Sequence, residues 1–295
     1  MAHSDAVRAA VRTGWLRTPD ELTPLGAGET ARTWAVLAGG QRFVAKLVAG
    51  RDRANVEAGL SAAEQLRTRD IEAGAPVRTA DGALSVALDS GLLVLLRHVP
   101  GRPLDPADPL DQQWWGDLLG RVHRALDGFS HPGLRRWHWL RPDAAHLDLE
   151  PWLRPAVADA VAALAKLAVT DQLTYGVLHG EPVAEALRMD HDTGRTGLIE
   201  WGAAATGPLV YDLAAAVAAA GGPDRAAELL DGYAAAGPVP REEIDSALPV
   251  LLRFRYAERA DRIARRLAAG DGADAEADRA ALAAARAALA GTPSG

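Results

Sequence analysis

Lys46 is the residue whose type and setting most strongly suggest a phosphate contact. Only Lys46 and Lys166 are lysines among the 32 basic residues, so arginine is this chain's usual cation. Lysine is a compact point charge, whereas arginine is a planar group with five donors. Because Lys46 also lies in a β-rich run rather than on a surface helix, the choice of lysine favours a specific role.

A glycine-containing turn precedes this lysine. Gly26 and Gly28 lie in it, and glycine lets backbone N–H groups approach phosphate oxygens closely. A lysine on the next strand can reach the α- and β-phosphates of a nucleotide, and it typically pairs with a glutamate on a helix. Glu57 and Glu64 are the available glutamates, and we favour Glu57. The alternative is a glycine hairpin beside one solvated lysine.

Two further glutamates each follow a short apolar run. Glu181 follows VLHG at residues 177–180, and Glu200 follows GLI at residues 197–199. A glutamate carries the charge and the oxygen ligands that magnesium requires. The alternative is that both carboxylates only make hydrogen bonds that stabilise the fold.

The elements that position these residues change in type along the chain. Residues 3–17 predict an amphipathic helix. Next we predict two strands, at residues 33–37 and 42–48, joined by a Gly39-Gly40 hairpin. A helix at residues 52–69 and a second pair of strands, at residues 83–88 and 92–99, follow. Later segments predict helices at residues 112–126, 155–167, 211–220, 224–236, 244–267 and 276–295, interrupted by β-like runs at 175–179 and 197–201.

These patterns predict an α+β protein with two lobes. Residues 1–100 form a β-rich N-terminal lobe that binds nucleotide, with a hinge at about residues 97–104. Residues 105–295 form a helical C-terminal lobe.

Composition excludes several other classes of protein. A formal net charge of −7 argues against a nucleic-acid binder that neutralises phosphates. The chain has no cysteine, which excludes disulfides and zinc–thiolate sites. Its N-terminus lacks the apolar core of a signal peptide, and its alanine-rich stretches are too short or too interrupted to span a bilayer. We therefore predict no membrane association and a cytoplasmic location.

Taken together, the motifs resemble those of the aminoglycoside phosphotransferase and choline kinase family. That family's pattern reads roughly HGDxxxxN, IDWG and YDLA; this chain has HGEPVAEA at 179–186, IEWG at 199–202 and YDLA at 211–214. Residues 94–104, VLLRHVPGRPL, are similar to the family's hinge. The resemblance covers most of residues 22–267. It implies a two-lobed protein-kinase-like fold with a small antiparallel β N-lobe and a mainly helical C-lobe. The C-lobe, residues 105–295, is then the lobe that holds the catalytic and substrate residues.

The resemblance also implies roles for individual residues. Glu181 takes the catalytic position that orients or deprotonates the acceptor hydroxyl, and Glu200 takes the metal position. The family's metal-binding asparagine falls on Ala186, and Glu185 can supply a compensating carboxylate. The implied cofactors are ATP or GTP and Mg²⁺. The residues implied to bind the nucleotide are Gly26, Gly28, Lys46, Glu57, Arg97 and Val99.

The acceptor side is less well defined by the sequence. Trp137, Trp139 and Asp148 lie where members of the family bind their acceptor, and aromatic faces can stack on a ring or contact a cation. Packing for the tryptophans and a solvated helix edge for Asp148 are the alternatives. For Asp212, in YDLA, we predict a structural role, capping a helix or bonding the His-Gly turn.

Two functions follow as hypotheses. The first is an ATP- or GTP-dependent phosphotransferase whose acceptor is a hydroxyl of a small molecule, either antibiotic-like or a biosynthetic intermediate; a peptide serine or threonine is a further possibility. The second is a pseudokinase that binds a protein partner, as in a peptide-modifying complex. The changes at positions 181, 186 and 200 motivate the second hypothesis.

Overall fold

The computed structural model describes residues 2–27, 31–49, 52–137, 140–170, 172–270 and 274–291. Contacts divide the chain into two units. Unit 1 comprises Met1–Leu104, Ala125–Arg135 and Glu185–Ala205, and unit 2 comprises Asp105–Arg124, Arg136–Ala184 and Thr206–Gly295. Unit 1 therefore takes up two segments that lie after the predicted hinge in the sequence.

Unit 1 is built on a five-stranded antiparallel sheet. The strands are β1 (Glu21–Ala27), β2 (Ala31–Ala38), β3 (Gln41–Val48), β4 (Val86–Leu88) and β5 (Gly91–Arg97). Their order in the sheet is β1-β2-β3-β5-β4, so β3 is central and pairs with β2 and β5.

Each face of this sheet is covered by a helix. Side chains alternate between the two faces of a strand, so Ala45 and Leu47 point away from Lys46. Those two residues share a buried cluster with Val7 and Val11 of α1 (Ala2–Gly14). The opposite face includes Val48 and Val94, which pack with Val56 and Leu60 of α2 (Arg53–Arg67). Lys46 consequently lies on the face that α2 covers.

Strand β1 was not among the predicted strands. It contains Pro24, and its register shifts between Pro24 and Gly26. Proline cannot donate to a β-ladder and is confined to edge strands and bulges, and glycine often marks a bulge. Because Pro24 and Gly26 are typical of turns, the sequence did not indicate a strand here. An edge strand tolerates both residues, since it needs hydrogen bonds to only one neighbour, β2.

Unit 1 also contains a hairpin of β8 (Leu187–Asp190) and β9 (Arg195–Leu198). The sequence predicted a strand over residues 197–201, and this prediction is wrong at its end. The strand stops at Leu198, and Glu200 has φ 76° and ψ 45°, a left-handed conformation that a strand cannot contain.

Gly59 allows α2 to approach the turn that follows Glu200. A Cβ atom at this position would lie 2.2 Å from the backbone oxygen of Trp201. We expect Gly59→Ala to lower the free energy of unfolding by about 1–3 kcal/mol, the usual cost of overpacking, although alanine favours helices by about 1 kcal/mol. Urea unfolding measures the change. Gly202→Ala is the control, because its Cβ would meet nothing within 4 Å; equal stability of both variants would contradict the prediction.

Unit 2 is mainly helical. A three-stranded sheet, most of whose residues belong to this unit, accompanies the helices. Its strands are β6 (Arg135–Arg136), β7 (Tyr175–Leu178) and β10 (Ala205–Pro208), in the order β6-β10-β7. The helices are α3 (Pro109–Ala125), α4 (Leu153–Thr170), α5 (Val210–Ala219), α6 (Ala227–Ala236), α7 (Arg241–Ala269) and α8 (Ala275–Gly291).

Helix α5 is the most buried element of unit 2. Residues 210–217 are all buried, and α7 packs against it. A helix that is apolar on every side belongs in a core. Asp212 is its only charged residue, so its carboxylate needs partners within the protein.

The predicted fold class, an α+β protein with a small antiparallel sheet followed by helices, is confirmed. Most predicted helices differ from the observed ones only by a few terminal residues. Residues 292–295, at the end of the last predicted helix, lie outside the described part of the chain. Among the described residues, no helix is long and apolar enough to cross a membrane.

Candidate functional site

A cavity of about 540 Å³ opens within unit 1 beside Lys46. Aliphatic side chains from the sheet and α2 form most of its walls, and these include Val44, Val48, Val56, Leu60, Val94 and Leu96. The charged residues that line it are Lys46, Arg97, Arg188 and Glu200. A mostly apolar pocket with a few charged groups is the usual form of a small-molecule site.

Lys46 makes an ion pair with Glu200 inside this cavity. Its ammonium group bonds Glu200 Oε2, and its side chain is only 17% exposed. Glu57, the predicted partner, instead accepts a hydrogen bond of 2.8 Å from Arg53 Nε one turn earlier on α2. The structure therefore joins Lys46 to the predicted metal ligand rather than to the predicted helix glutamate.

The backbone around Glu200 holds its side chain at the cavity. Glu200 is one of only three non-glycine residues with positive φ among those that the structure describes. On either side of it, Ile199 N–H donates to Ala186 O (2.8 Å), and Trp201 Nε1 donates to Leu198 O (3.0 Å). A strained residue persists only where its surroundings fix it, and such residues concentrate at functional sites.

The position that the family resemblance assigns to the metal offers fewer oxygen ligands here than it does in that family. Ala186 is buried and has no oxygen ligand in its side chain, and Glu185 is exposed. Within the described residues, no group of three or more His, Cys, Asp or Glu side chains could enclose a metal ion. Mg²⁺, however, is usually bound through one or two carboxylates together with substrate phosphates and water. Glu200 therefore fits one ion that is held jointly with a nucleotide.

Arg188 is a cavity residue that the sequence reasoning missed. It lies on β8, two residues after Ala186, and it is half-buried. Burial lowers the pKa of this guanidinium, and Glu200 opposes the shift. Arg188 adds a positive charge at the wall of the cavity. The alternation of apolar and charged residues at 187–190, LRMD, was the signal available in the sequence.

The remaining nucleotide-binding predictions fall in two groups. Gly26, Arg97 and Val99 all line the cavity, whereas Gly28 lies outside the described residues. Desolvation lowers the pKa of Arg97, and the nearby guanidinium groups of Arg67 and Arg17 add to this.

In unit 2, Asp212 holds the turn that carries Glu181. Its carboxylate accepts hydrogen bonds from the backbone N–H of His179 (2.6 Å) and of Gly180 (2.9 Å). His123 Nε2 lies 3.3 Å from the same carboxylate. The predicted structural role of Asp212, bonding the His-Gly turn, is confirmed.

Glu181 is paired with an arginine from α7. Its Oε2 accepts a hydrogen bond of 3.1 Å from Arg255, whose Nη1 donates to the hydroxyl of Tyr211 at 2.7 Å. Burial raises the pKa of Tyr211 to about 12, so this hydroxyl is protonated at neutral pH. Sequence reasoning missed Arg255, because 74 residues separate it from Glu181.

The residues that were predicted to bind the acceptor differ in their contacts. Trp137 packs against Tyr211 and Phe254, with ring centroids 5.0 and 5.3 Å apart. Asp148 forms an ion pair of 2.6 Å with Arg154; Asp148 is exposed and Arg154 is partly buried. Trp139 lies outside the described residues.

Comparisons with known proteins identify the family of the chain. A family profile described as "Phosphotransferase enzyme family" matches residues 21–246. A search of curated proteins found no match.

Solved structures resemble the chain over nearly its whole length. One is a microcompartment-associated aminopropanol kinase, with 18% identity, a TM-score of 0.76 and coverage of 97% of this chain and 95% of that one. Another is amicoumacin kinase hAmiN in complex with AMP-PNP, Ca²⁺ and Ami, with 15% identity, a TM-score of 0.75 and coverage of 97% and 92%. A choline/ethanolamine kinase family protein from Mesorhizobium loti has 16% identity, a TM-score of 0.69 and coverage of 98% and 95%. These similarities confirm the predicted kinase-like fold.

Proposed function

Because the chain belongs to the phosphotransferase enzyme family, we propose that it transfers the γ-phosphoryl group of ATP or GTP to a hydroxyl of a small molecule. The bond between the γ-phosphorus and its bridging oxygen breaks, a bond to the acceptor oxygen forms, and the hydroxyl loses its proton. The observation that carries the proposal is the Lys46–Glu200 pair within an otherwise mainly apolar cavity.

Different residues of the cavity contact different parts of the nucleotide in this proposal. The aliphatic walls suit the base, while Lys46 and Arg188 supply positive charge for phosphate oxygens. Catalysis of phosphoryl transfer is almost entirely positioning and electrostatic stabilisation, so fixed cations near the phosphates are the main requirement. In this proposal Lys46 exchanges its contact with Glu200 for one with the phosphates.

Glu200, with Glu185 as the second predicted carboxylate, is the residue that we propose for the metal. A bound Mg²⁺ would neutralise charge on the nucleotide phosphates and fix their orientation. Freed from Lys46, the Glu200 carboxylate is available to hold it. Magnesium as the metal, the choice between ATP and GTP, and the predicted cytoplasmic location all belong to this proposal.

The small-molecule acceptor is supported by the chain's structural neighbours. By their names, two of them are kinases of aminopropanol and of amicoumacin, both small molecules. Trp137, Trp139 and Asp148 remain the residues proposed to contact the acceptor, and Glu181 is proposed to orient its hydroxyl.

A pseudokinase is the second hypothesis, and the replacement of the metal-binding asparagine by Ala186 favours it. The two hypotheses differ in nucleotide binding. Thermal unfolding with ATP or GTP, each with and without Mg²⁺, separates them. The enzyme requires a rise in Tm that depends on the metal, because a ligand that binds only the folded state stabilises it. Absence of any rise with either nucleotide would favour a scaffold that binds a protein partner.

Glu200→Gln tests the metal assignment. We expect this variant to lose the Mg²⁺-dependent part of the nucleotide-induced rise in Tm, since the amide keeps the shape of the side chain but carries no charge. When the nucleotide concentration is 100 times its Kd, binding stabilises the wild type by about 2.7 kcal/mol, so loss of this stabilisation is readily measured. Glu228→Gln, at an exposed glutamate of α6, is the control. Unchanged metal dependence in Glu200→Gln would remove Glu200 from the metal site.

A further inference from the structure

Arg255 is a buried cation in the middle of α7. Its side chain is 9% exposed. Burial alone would lower its pKa, but Tyr211, Glu181 and Glu258 outweigh burial and raise the pKa of Arg255 above its ordinary value. Burying a charge is costly unless it is paired and hydrogen-bonded. The chain thus maintains a permanent positive charge here, beside the residue proposed to orient the acceptor hydroxyl.

The guanidinium group is held in one orientation. Nη1 donates to the hydroxyl of Tyr211 at 2.7 Å, and the guanidinium carbon lies 4.8 Å from the centre of the tyrosine ring. Glu258, three residues later on α7, lies 3.7 Å from Nη1. These contacts leave Nη2 directed at Glu181, which it reaches at 3.1 Å.

Adjacent residues of α5 fix both sides of this contact. Asp212 bonds the backbone N–H groups of His179 and Gly180, and so holds the turn from which Glu181 projects. Tyr211, the preceding residue, holds Arg255. The distance between the Glu181 backbone and the guanidinium is therefore set by one rigid, buried helix.

We propose that Arg255 is a positioning residue for Glu181, and that glutamate at position 181 is matched in length to this arginine. The inference rests on the proposed function, in which Glu181 orients the acceptor hydroxyl. Aspartate is shorter by one C–C bond of about 1.5 Å, so at the same backbone position its oxygen would lie beyond hydrogen-bonding distance of Nη2.

The pairing leaves one carboxylate oxygen for the acceptor. Arg255 binds Oε2, and in the part of the chain that the structure describes Oε1 has no donor. The Glu181 side chain is 41% exposed and flexible by nature, and ordering such a side chain costs entropy. Because Arg255 already restricts Glu181 to one orientation, this side-chain entropy is lost before the acceptor binds. The longer side chain of Glu181 is then matched to its surroundings and does not impair catalysis.

The test compares Glu181→Asp, Arg255→Gln and the double variant in a phosphotransfer assay. We expect each single change to lower kcat by about 10- to 100-fold, since a misplacement of 1 Å can cost about 100-fold. The KM for the nucleotide should not change. The double variant should be no worse than the poorer single variant, because both changes break the same contact. Arg241→Gln, at an exposed arginine of the same helix, is the control and should keep wild-type kcat.

Chemical rescue separates positioning from a merely structural role. Arg255→Ala should regain at least 10-fold in kcat with millimolar guanidinium, whereas urea, a neutral molecule of the same shape, should restore nothing. A Glu181→Asp variant as active as the wild type, or more active, would overturn the proposal. So would additive effects in the double variant, or equal rescue by both additives.

A parallel thermal-unfolding cycle on the same variants needs no substrate. We expect the decreases in Tm for Glu181→Asp and Arg255→Gln not to add. If they do not add and the wild type phosphorylates no acceptor, the proposed function fails while the Glu181–Arg255 pairing stands. Fully additive decreases in Tm would show that the pairing itself is wrong.

Discussion

Replacing Lys46 with methionine is expected to lower kcat/KM for phosphoryl transfer by about 100- to 1,000-fold. Losses of this size follow when a fixed donor to a developing negative charge is removed. Methionine keeps the length of the side chain and removes the ammonium group. Lys46 has no substitute on its own strand, because its neighbours Ala45 and Leu47 point into the opposite, apolar face of the sheet. The measurement is steady-state phosphotransfer.

Lys166→Met is the matched control for this prediction. Lys166 is the only other lysine of the chain, and it is exposed on α4. It should retain wild-type kcat/KM and the wild-type rise in Tm with nucleotide. If Lys46→Met transferred phosphate as well as Lys166→Met, the cavity beside Lys46 would not be the nucleotide site.

Asp212→Asn is expected to lower the free energy of unfolding by about 3 kcal/mol at neutral pH. Hydrogen bonds to a charged group contribute about 1.5–3 kcal/mol each, and breaking a buried charge pair costs about 3–5 kcal/mol. The Asp212 carboxylate is fully buried and serves two backbone N–H groups and His123. An asparagine amide retains only one acceptor oxygen for these donors. Urea unfolding measures the loss.

The effect of Asp212→Asn should depend on pH. Burial alone would raise the pKa of Asp212, but the hydrogen bond and charge of His123, the charge of His179 and the Gly180 N–H together lower it. Because the folded-state pKa lies below the unfolded value of about 3.9, the carboxylate's contribution is present at neutral pH and is lost as the pH falls below about 4. The difference between the wild type and the variant should shrink over that range.

Asp231→Asn provides the comparison. Asp231 is exposed and pairs with Arg241 at 3.2 Å, and exposed ion pairs contribute little to stability because water and salt screen them. Equal destabilisation by the two substitutions would mean that Asp212 does not hold the His-Gly turn. Unaltered stability of Asp212→Asn at neutral pH would mean the same.

The family and the enzyme class, a phosphotransferase with an alcohol group as acceptor, could be predicted from the sequence and are confirmed by the profile match. The predictive signals were local. HGE, IEWG and YDLA are short contiguous motifs, and Lys46 lies on a strand with clear β-propensity. Helices with an apolar stripe, such as α3 and α4, were predicted to within a few residues because the stripe repeats every turn.

The sequence by itself thus determined the order of the helices and of most strands of the N-terminal sheet, the kinase-like fold and the chemical types of the candidate site residues. Only the tertiary structure decided which charges meet. Lys46 pairs with Glu200 across 154 residues, and Glu181 pairs with Arg255 across 74. Periodicity and motif spacing report on neighbours along the chain, whereas an ion pair depends on where the backbone brings distant side chains together. The left-handed turn at Glu200 and the buried Tyr211–Arg255 contact set those positions, and neither has a local signature in the sequence.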